Sequence, residues 1–189
     1  MIEAGRVVAI LLAAGRSERF GSDKLMALLD GKPLAVHAAR RIVELAPGRR
    51  IAVCQSTDGP LAAQLNDLGF EIVTNPHPER GLSQSLARGI AAVGTAEAAL
   101  VCLADMPFVT AAHLETLLAR FDAGTAPVVA SVRGDTPMPP ALFARSLFGA
   151  LQAGEGDRGA RAQLAGAALV AADAAELADI DQPGDLPAR

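Results

Sequence analysis

Residues 7–12, Val-Val-Ala-Ile-Leu-Leu, are apolar without a break. A run this short reads as a strand, and a strand with no polar alternation is buried on both faces. The pattern recurs along the chain. Strands are expected at 7–12, 50–55, 70–74, 99–103, 128–132 and 169–171, with helices at 34–45, 60–68, 82–93 and 111–121 between them. Pro47-Gly48 closes the first helix, Gly69 stops the second, and Thr110 is a natural N-cap for the fourth. Strands alternating with helices imply an α/β fold with a mainly parallel sheet covered on both faces. No linker or repeat divides the 189 residues, so a single domain over 1–189 is expected.

After residue 134 glycine and proline break the rhythm. A turn-rich loop is expected over 134–140, a helix over 142–151, a loop over 154–159, a short helix over 160–164 and an extended piece over 177–180. This later part is expected to complete the same domain and to cover a second substrate.

The first strand runs into Leu12-Ala13-Ala14-Gly15-Arg16-Ser17-Glu18-Arg19-Phe20-Gly21-Ser22-Asp23-Lys24. The loop leaves the carboxyl end of a strand, where open α/β sheets bind ligands. Its glycines let backbone approach a ligand, its N–H groups can form an anion nest, and Arg16, Arg19 and Lys24 can neutralise phosphate. The reading is a loop that wraps a nucleoside triphosphate. The spacing is neither that of a P-loop nor the GxGxxG of dinucleotide folds.

Four further groups carry chemistry. Asp105 follows the apolar strand 99–103, so its carboxylate should emerge at the same sheet edge as the loop. Triphosphates act as Mg²⁺ complexes, and Mg²⁺ takes one or two carboxylates with phosphate oxygens. In Asp179-Ile180-Asp181, period two puts both aspartates on one face of an extended segment, and one of them could complete a metal site with Asp105. Ser83 and Ser85 open a helix whose N-terminus suits a base edge, ribose or phosphate, and at least one of them is expected to act as an ordinary N-cap. Arg158 and Arg161 flank Gly159 and could receive an anionic second substrate, with a solvated charged loop as the alternative.

Other classes are excluded. The net charge of −4 leaves no basic footprint, and 3% aromatic content with no Trp or Tyr gives no platform for stacked bases, so nucleic acid is not a partner. No uncharged apolar run reaches about 18 residues, and Met1 to Arg6 lacks the features of a signal peptide, so no membrane association is expected. Cys54 and Cys102 lie outside any CxxC and read as reduced, buried thiols of a cytoplasmic protein. His37, His77 and His113 have no ligand spacing and receive no role.

Taken together, these residues resemble the nucleotidyltransferases that attach a nucleotide to molybdopterin. The opening loop fits LAAGxSxRxGxxK and most resembles the molybdenum cofactor cytidylyltransferase branch. The likeness continues through Asn75-Pro76, Gly81-Leu82-Ser83-Gln84-Ser85-Leu86, Leu103-Ala104-Asp105-Met106-Pro107, Leu142-Phe143, Gly156-Asp157-Arg158-Gly159-Ala160-Arg161 and Asp179-Ile180-Asp181-Gln182-Pro183-Gly184-Asp185-Leu186. The chain departs from the family at Met138-Pro139-Pro140 and at Cys54-Gln55-Ser56-Thr57-Asp58.

The resemblance implies a Rossmann-like, three-layer α/β/α nucleotidyltransferase fold. It implies CMP transfer from CTP to the phosphate of molybdopterin, with pyrophosphate released and Mg²⁺ as cofactor. It makes Arg19, Lys24 and Asp105 catalytic. It assigns Leu12, Ala13, Ala14, Gly15, Arg16, Ser17, Arg19, Lys24, Ser83, Ser85 and Asp105 to the nucleotide, and Asp105 and Asp181 to the metal. Arg158, Arg161 and Asp179 fall to the acceptor. Ala14 stands where guanylyl-transferring relatives have glycine, which favours CTP over GTP. A transient contact with a molybdoenzyme or its chaperone is implied. Two alternatives stay open: a guanylyl- or cytidylyltransferase for a sugar or polyol phosphate, and a non-catalytic carrier of nucleotide or cofactor.

Overall fold

The computed structural model describes residues 1–15, 20, 23–154 and 162–186. In chain order the elements are β1 (Val7–Ala13), the short strands β2 (Leu28–Leu29) and β3 (Lys32–Pro33), α1 (Leu34–Leu45), β4 (Arg49–Cys54), α2 (Pro60–Asp67), β5 (Glu71–Thr74), α3 (Leu82–Ala92), β6 (Ala98–Leu103), α4 (Ala111–Arg120), β7 (Val128–Arg133), β8 (Thr136–Ala144), α5 (Phe148–Ala153) and β9 (Ala168–Ala171). Within the described residues, β2 and β3 form a hairpin and the longer strands form a seven-stranded sheet in the order β5-β4-β1-β6-β8-β7-β9. Every neighbouring pair is parallel except the two that involve β8.

The uninterrupted apolar run of β1 is explained by its place. All seven of its residues are buried. Val7, Ala9, Leu11 and Ala13 join the layer with α1, α2 and α4. Val8, Ile10 and Leu12 join the layer with α3 and α5, as does Ala14 just beyond the strand. These two apolar layers make the three-layer α/β/α architecture. The approach of α3 to the sheet is close: a Cβ at Gly89 would lie 2.7 Å from Ile10 Cγ2 and 3.2 Å from Val53 Cγ2. Glycine there lets α3 pack directly on β1 and β4.

The stretch after residue 134 corrects two expectations. The 134–140 loop and the 142–151 helix are replaced by β8, an antiparallel strand between β6 and β7, and α5 begins only at Phe148. Ala141, Leu142, Phe143 and Ala144 pair with β6 at Val101 to Ala98, which buries them on both faces. A four-residue apolar run does not by itself distinguish strand from helix. The prolines lie past the last β6 pairing, Val101 with Ala141, and of the three only Pro137 has a ladder partner, Val132 of β7. The register shifts between Ala130 and Ser131, leaving Pro139 and Pro140 without ladder partners. Residues lacking an N–H are tolerated at such an irregularity.

A buried polar relay supports the shift. The Ser131 hydroxyl donates to the Pro140 carbonyl at 2.8 Å, and His113 Nε2 lies 2.7 Å from Ser131 Oγ. With the hydroxyl proton committed to Pro140, His113 is the donor to Ser131. Burial pushes the pKa of His113 down, against the opposing charge of Glu176. His113 therefore has a structural function that its position in the sequence did not signal.

Both cysteines are free and buried. Burial pushes the Cys54 thiol up to about 11 and the Cys102 thiol up to about 12, so neither is a ready nucleophile. No helix among the described residues is long and apolar enough to cross a membrane.

Candidate active site

The chain leaves β1 for β4 and β5 on one side, then returns past β1 to pair β6 on the other. The order reverses at β1, so a crevice forms outside the carboxyl ends of β1 and β6, the place where such sheets bind ligands. Leu12, Ala13 and Ala14 are buried there and Gly15 is exposed, so this part of the loop presents backbone to the crevice. The Ala104 N–H donates to Leu12 O at 3.1 Å, continuing the β1–β6 ladder and fixing the residue before Asp105.

Three segments meet at that point. Lys24 heads a 3₁₀ turn, Lys24–Met26, capped by Asp23, whose carboxylate accepts from Leu25 N at 3.1 Å. The Lys24 Nζ donates to Asp105 Oδ2 at 2.8 Å and to Asp181 Oδ1 at 3.1 Å. Burial alone would pull the Lys24 pKa down. The two carboxylates, Asp105 foremost, outweigh it and hold the pKa above its ordinary value. The ammonium is therefore held charged in a largely desolvated position.

Asp181 reaches the site on a strap that follows β9. Glu176 accepts from Thr110 N at 3.0 Å, and Leu177 is fully buried. Arg133 Nη1 donates to Leu177 O at 3.3 Å and to Asp179 Oδ1 at 3.4 Å. The Ile180 N–H donates to Asp105 O at 2.9 Å, while its side chain packs with Leu29 and Leu34. The Asp185 carboxylate accepts from Asp181 N and Gln182 N at 2.9 and 2.8 Å. The two aspartates of the ending motif thus take different partners: Asp181 joins Lys24 and Asp105, and Asp179 joins Arg133.

The serines are not caps. Gly81, at φ 86°, holds the N-cap position of α3, and no side chain caps the helix. Ser83 and Ser85 are buried at its second and fourth positions. Ser85 Oγ accepts from Asn75 Nδ2 at 2.9 Å. Asn75 in turn donates through its backbone to Cys54 O at 2.7 Å and accepts from His77 N at 3.1 Å. Ser85 therefore fastens the turn after β5 to the start of α3.

Gln55 was missed by sequence reasoning. Its Nε2 donates to Gly15 O at 2.9 Å and holds the loop as it leaves β1. A cleft of ≈ 340 Å³ opens beside it, lined by Gly15, Asp23, Cys54, Gln55, Ser56 and Leu61 among others. Arg16, Ser17, Arg19, Arg158 and Arg161 lie outside the described residues.

The donor set fits a hard divalent cation. Asp105 Oδ1 is buried and has no hydrogen-bond partner, an acceptor left unsatisfied beside a second carboxylate. Among the described residues no group of three or more His, Cys, Asp or Glu forms a metal cage. Two carboxylates, one with a buried unpaired oxygen, suit a hard divalent cation that takes oxygen ligands and keeps part of its water.

The MobA-like NTP transferase domain matches residues 9–174. The bifunctional protein GlmU of Sphingopyxis alaskensis is 30% identical over 142 residues, 74% of this chain and 31% of that protein. The chain therefore spans about a third of the length of that relative. The molybdenum cofactor guanylyltransferase of Burkholderia ambifaria is 32% identical over 168 residues, 79% of this chain and 78% of its own. The purine catabolism protein PucB of Bacillus subtilis is 29% identical over 192 residues, covering 94% and 92%. Among solved structures, Rv0371c of Mycobacterium tuberculosis H37Rv has a TM-score of 0.79 at 21% identity over 96% of both chains. Its homologue from Mycobacterium sp. strain JC1 has a TM-score of 0.76 at 26% identity, covering 96% and 93%.

Proposed function

The chain belongs to the MobA-like NTP transferase family, and we propose that it transfers CMP from CTP to the phosphate of molybdopterin, releasing pyrophosphate. The observation that carries this reading is the meeting of Lys24, Asp105 and Asp181 at the crevice between β1 and β6. An oxygen of the acceptor phosphate forms a bond to the α-phosphorus. The bond from that phosphorus to the bridging oxygen breaks, and its electron pair leaves with pyrophosphate. The acceptor phosphate is already anionic at neutral pH, so the chain need supply no general base. Its task is positioning and charge neutralisation.

Lys24, with Arg16 and Arg19, holds the triphosphate and takes up charge on the departing pyrophosphate. Leu12, Ala13, Ala14, Gly15 and Ser17 follow the nucleotide with backbone and hydroxyl groups, and Ser83 and Ser85 border it from α3. Asp105 and Asp181 would hold Mg²⁺, which when bound would supply positive charge to offset the repulsion between the phosphates. Arg158, Arg161 and Asp179 serve the acceptor, with Asp179 oriented by Arg133.

The choice of base rests on the resemblance at Ala14, where guanylyl-transferring relatives have glycine. The Ala14 methyl group is buried in the layer formed with α3 and shares that layer with Leu86. Ala14→Gly removes this methyl group and should raise the GTP-to-CTP ratio of kcat/KM. An unchanged ratio would detach Ala14 from base choice. The decisive assay is pyrophosphate release with CTP, GTP and ATP crossed against molybdopterin, a sugar phosphate and a polyol phosphate. Turnover should be greatest with CTP and molybdopterin. Turnover confined to a sugar or polyol phosphate would replace the acceptor, and tight CTP binding without turnover on any acceptor would make the chain a carrier.

A further inference from the structure

We propose that the Lys24 ammonium is a removable stand-in for the divalent cation, holding Asp105 and Asp181 together until metal and triphosphate displace it jointly. The inference rests on the assignment of Asp105 and Asp181 to the metal.

The geometry is that of an occupied cation position. Lys24 Nζ lies 2.8 Å from one carboxylate and 3.1 Å from the other, and so bridges residues that are 81 and 157 positions away in sequence. The side chain is only 10% exposed, whereas the carboxylates are 25% and 44% exposed. The bridge therefore lies inside the site, with its anions toward the opening. The ammonium lowers the repulsion between two neighbouring carboxylates, of which Asp105 is the more buried.

A divalent cation entering alone meets a like charge already seated among its ligands. It must displace the ammonium, and a displaced ammonium this far from water needs a new anionic partner. The triphosphate is that partner. Metal binding and triphosphate binding consequently assist each other, and each alone is weak. Reciprocity of binding free energies requires the coupling to be equal in both directions, and couplings of this kind are typically about 5–150-fold. The exchange gives Lys24 two positions in one cycle: between the carboxylates in the resting protein, and on the phosphates in the complex.

The test measures metal binding directly, with Mn²⁺ as the probe and electron paramagnetic resonance reading free against bound ion. Lys24→Met should bind Mn²⁺ alone about tenfold or more tightly than the parent, and CTP should raise the affinity of the parent by a similar factor once the Mn²⁺–CTP complex formed without protein is subtracted. A second readout needs no variant. The chain has two lysines, Lys24 and Lys32. Lys32 is exposed and serves as an internal reference for acetylation by acetic anhydride, resolved by tandem mass spectrometry.

Lys24 should be acetylated slowly without metal, faster in saturating Mg²⁺, and slowly again when CTP is added with Mg²⁺. Equal Mn²⁺ affinity in parent and Lys24→Met, or acetylation of Lys24 indifferent to Mg²⁺, overturns the exchange. If Mn²⁺ then still binds and is lost in Asp105→Asn, the metal assignment survives that failure. Absence of protein-bound Mn²⁺ from parent and variant alike, beyond the Mn²⁺–CTP complex formed without protein, overturns both. If Lys24→Met does not fold, the acetylation rates of the parent decide the matter.

Discussion

The two ends of the sheet carry the same kinds of charged group and use them oppositely. At the amino ends of the strands, Arg49 pairs with Glu71 through two hydrogen bonds, at 2.8 and 2.6 Å, and Arg6 pairs with Glu97. Arg49 also donates to Val93 O at 3.1 Å, closing the carboxyl end of α3. At the carboxyl ends, Lys24 bridges Asp105 and Asp181. The Arg49 side chain is 42% exposed and that of Lys24 is 10% exposed. The first pair balances one charge against one, in water. Among the described residues the second sets one largely buried cation against two carboxylates, and leaves one acceptor atom of Asp105 unpaired. Exposed pairs of the first kind contribute about 0–1 kcal/mol, while removing one partner of a desolvated pair typically costs about 3–5 kcal/mol. The difference teaches that burial and, among the described residues, charge imbalance distinguish the end of the sheet that carries the proposed site from the other.

The strongest way to break that comparison is to neutralise one carboxylate while keeping its shape. Asp105→Asn should lower the rate of pyrophosphate release about 10²–10³-fold, as loss of one electrostatic group in a phosphoryl-transfer site does. Arg49→Ala, at the other end, should leave the rate within a few-fold of the parent. Equal losses in the two variants would mean that the position on the sheet carries no functional information. Activity of Asp105→Asn within a few-fold of the parent would remove Asp105 from the chemistry.

What the sequence discloses follows the range of the interactions involved. The α/β class is written into short apolar runs, because burial on both faces of a strand leaves no polar alternation. Lys24, Asp105 and Asp181 are recoverable as motif residues because each ends or follows a recognisable element. The position of β8 is not recoverable, because Ala141 to Ala144 could sit equally well in a helix until β6 and β7 are present to pair with them. Gln55 with Gly15, and Arg133 with Asp179, are invisible for a related reason: their partners are 40 and 46 residues away and obey no local period. Nor does the two-residue period of the ending motif foresee that Asp179 and Asp181 take different partners.

The buried relay behind β8 sharpens the comparison, because it combines burial with charge balance. His113 is held neutral by desolvation, with a pKa below its ordinary value of 6.5. As pH falls through 6.5 the unfolded chain takes up a proton that the folded chain refuses. The stability associated with this residue is therefore present above pH 6.5 and is lost as pH falls through the lower folded value. The slope from one such group is at most about 1.4 kcal/mol per pH unit. Chemical denaturation of the parent between pH 7.5 and 5 should show it. His113→Gln, which can still donate to Ser131, should lose that portion of the slope. An identical slope in both proteins would assign the acid sensitivity to other groups.

The smallest effect is expected where the ion pair is most regular. Glu71→Gln removes the charge opposite Arg49 but leaves an acceptor for one of its N–H groups. Arg49 is still held by the carbonyls of Ala92 and Val93, so the guanidinium keeps its place at the end of α3. Lost attraction in high dielectric is worth about 0.2–1 kcal/mol and is screened further by salt. Urea denaturation should place the variant within about 1 kcal/mol of the parent at low salt, with the gap closing at 1 M NaCl. A gap that persists in high salt would show that this end of the sheet is also desolvated, and the contrast between its two ends would then rest on charge imbalance alone.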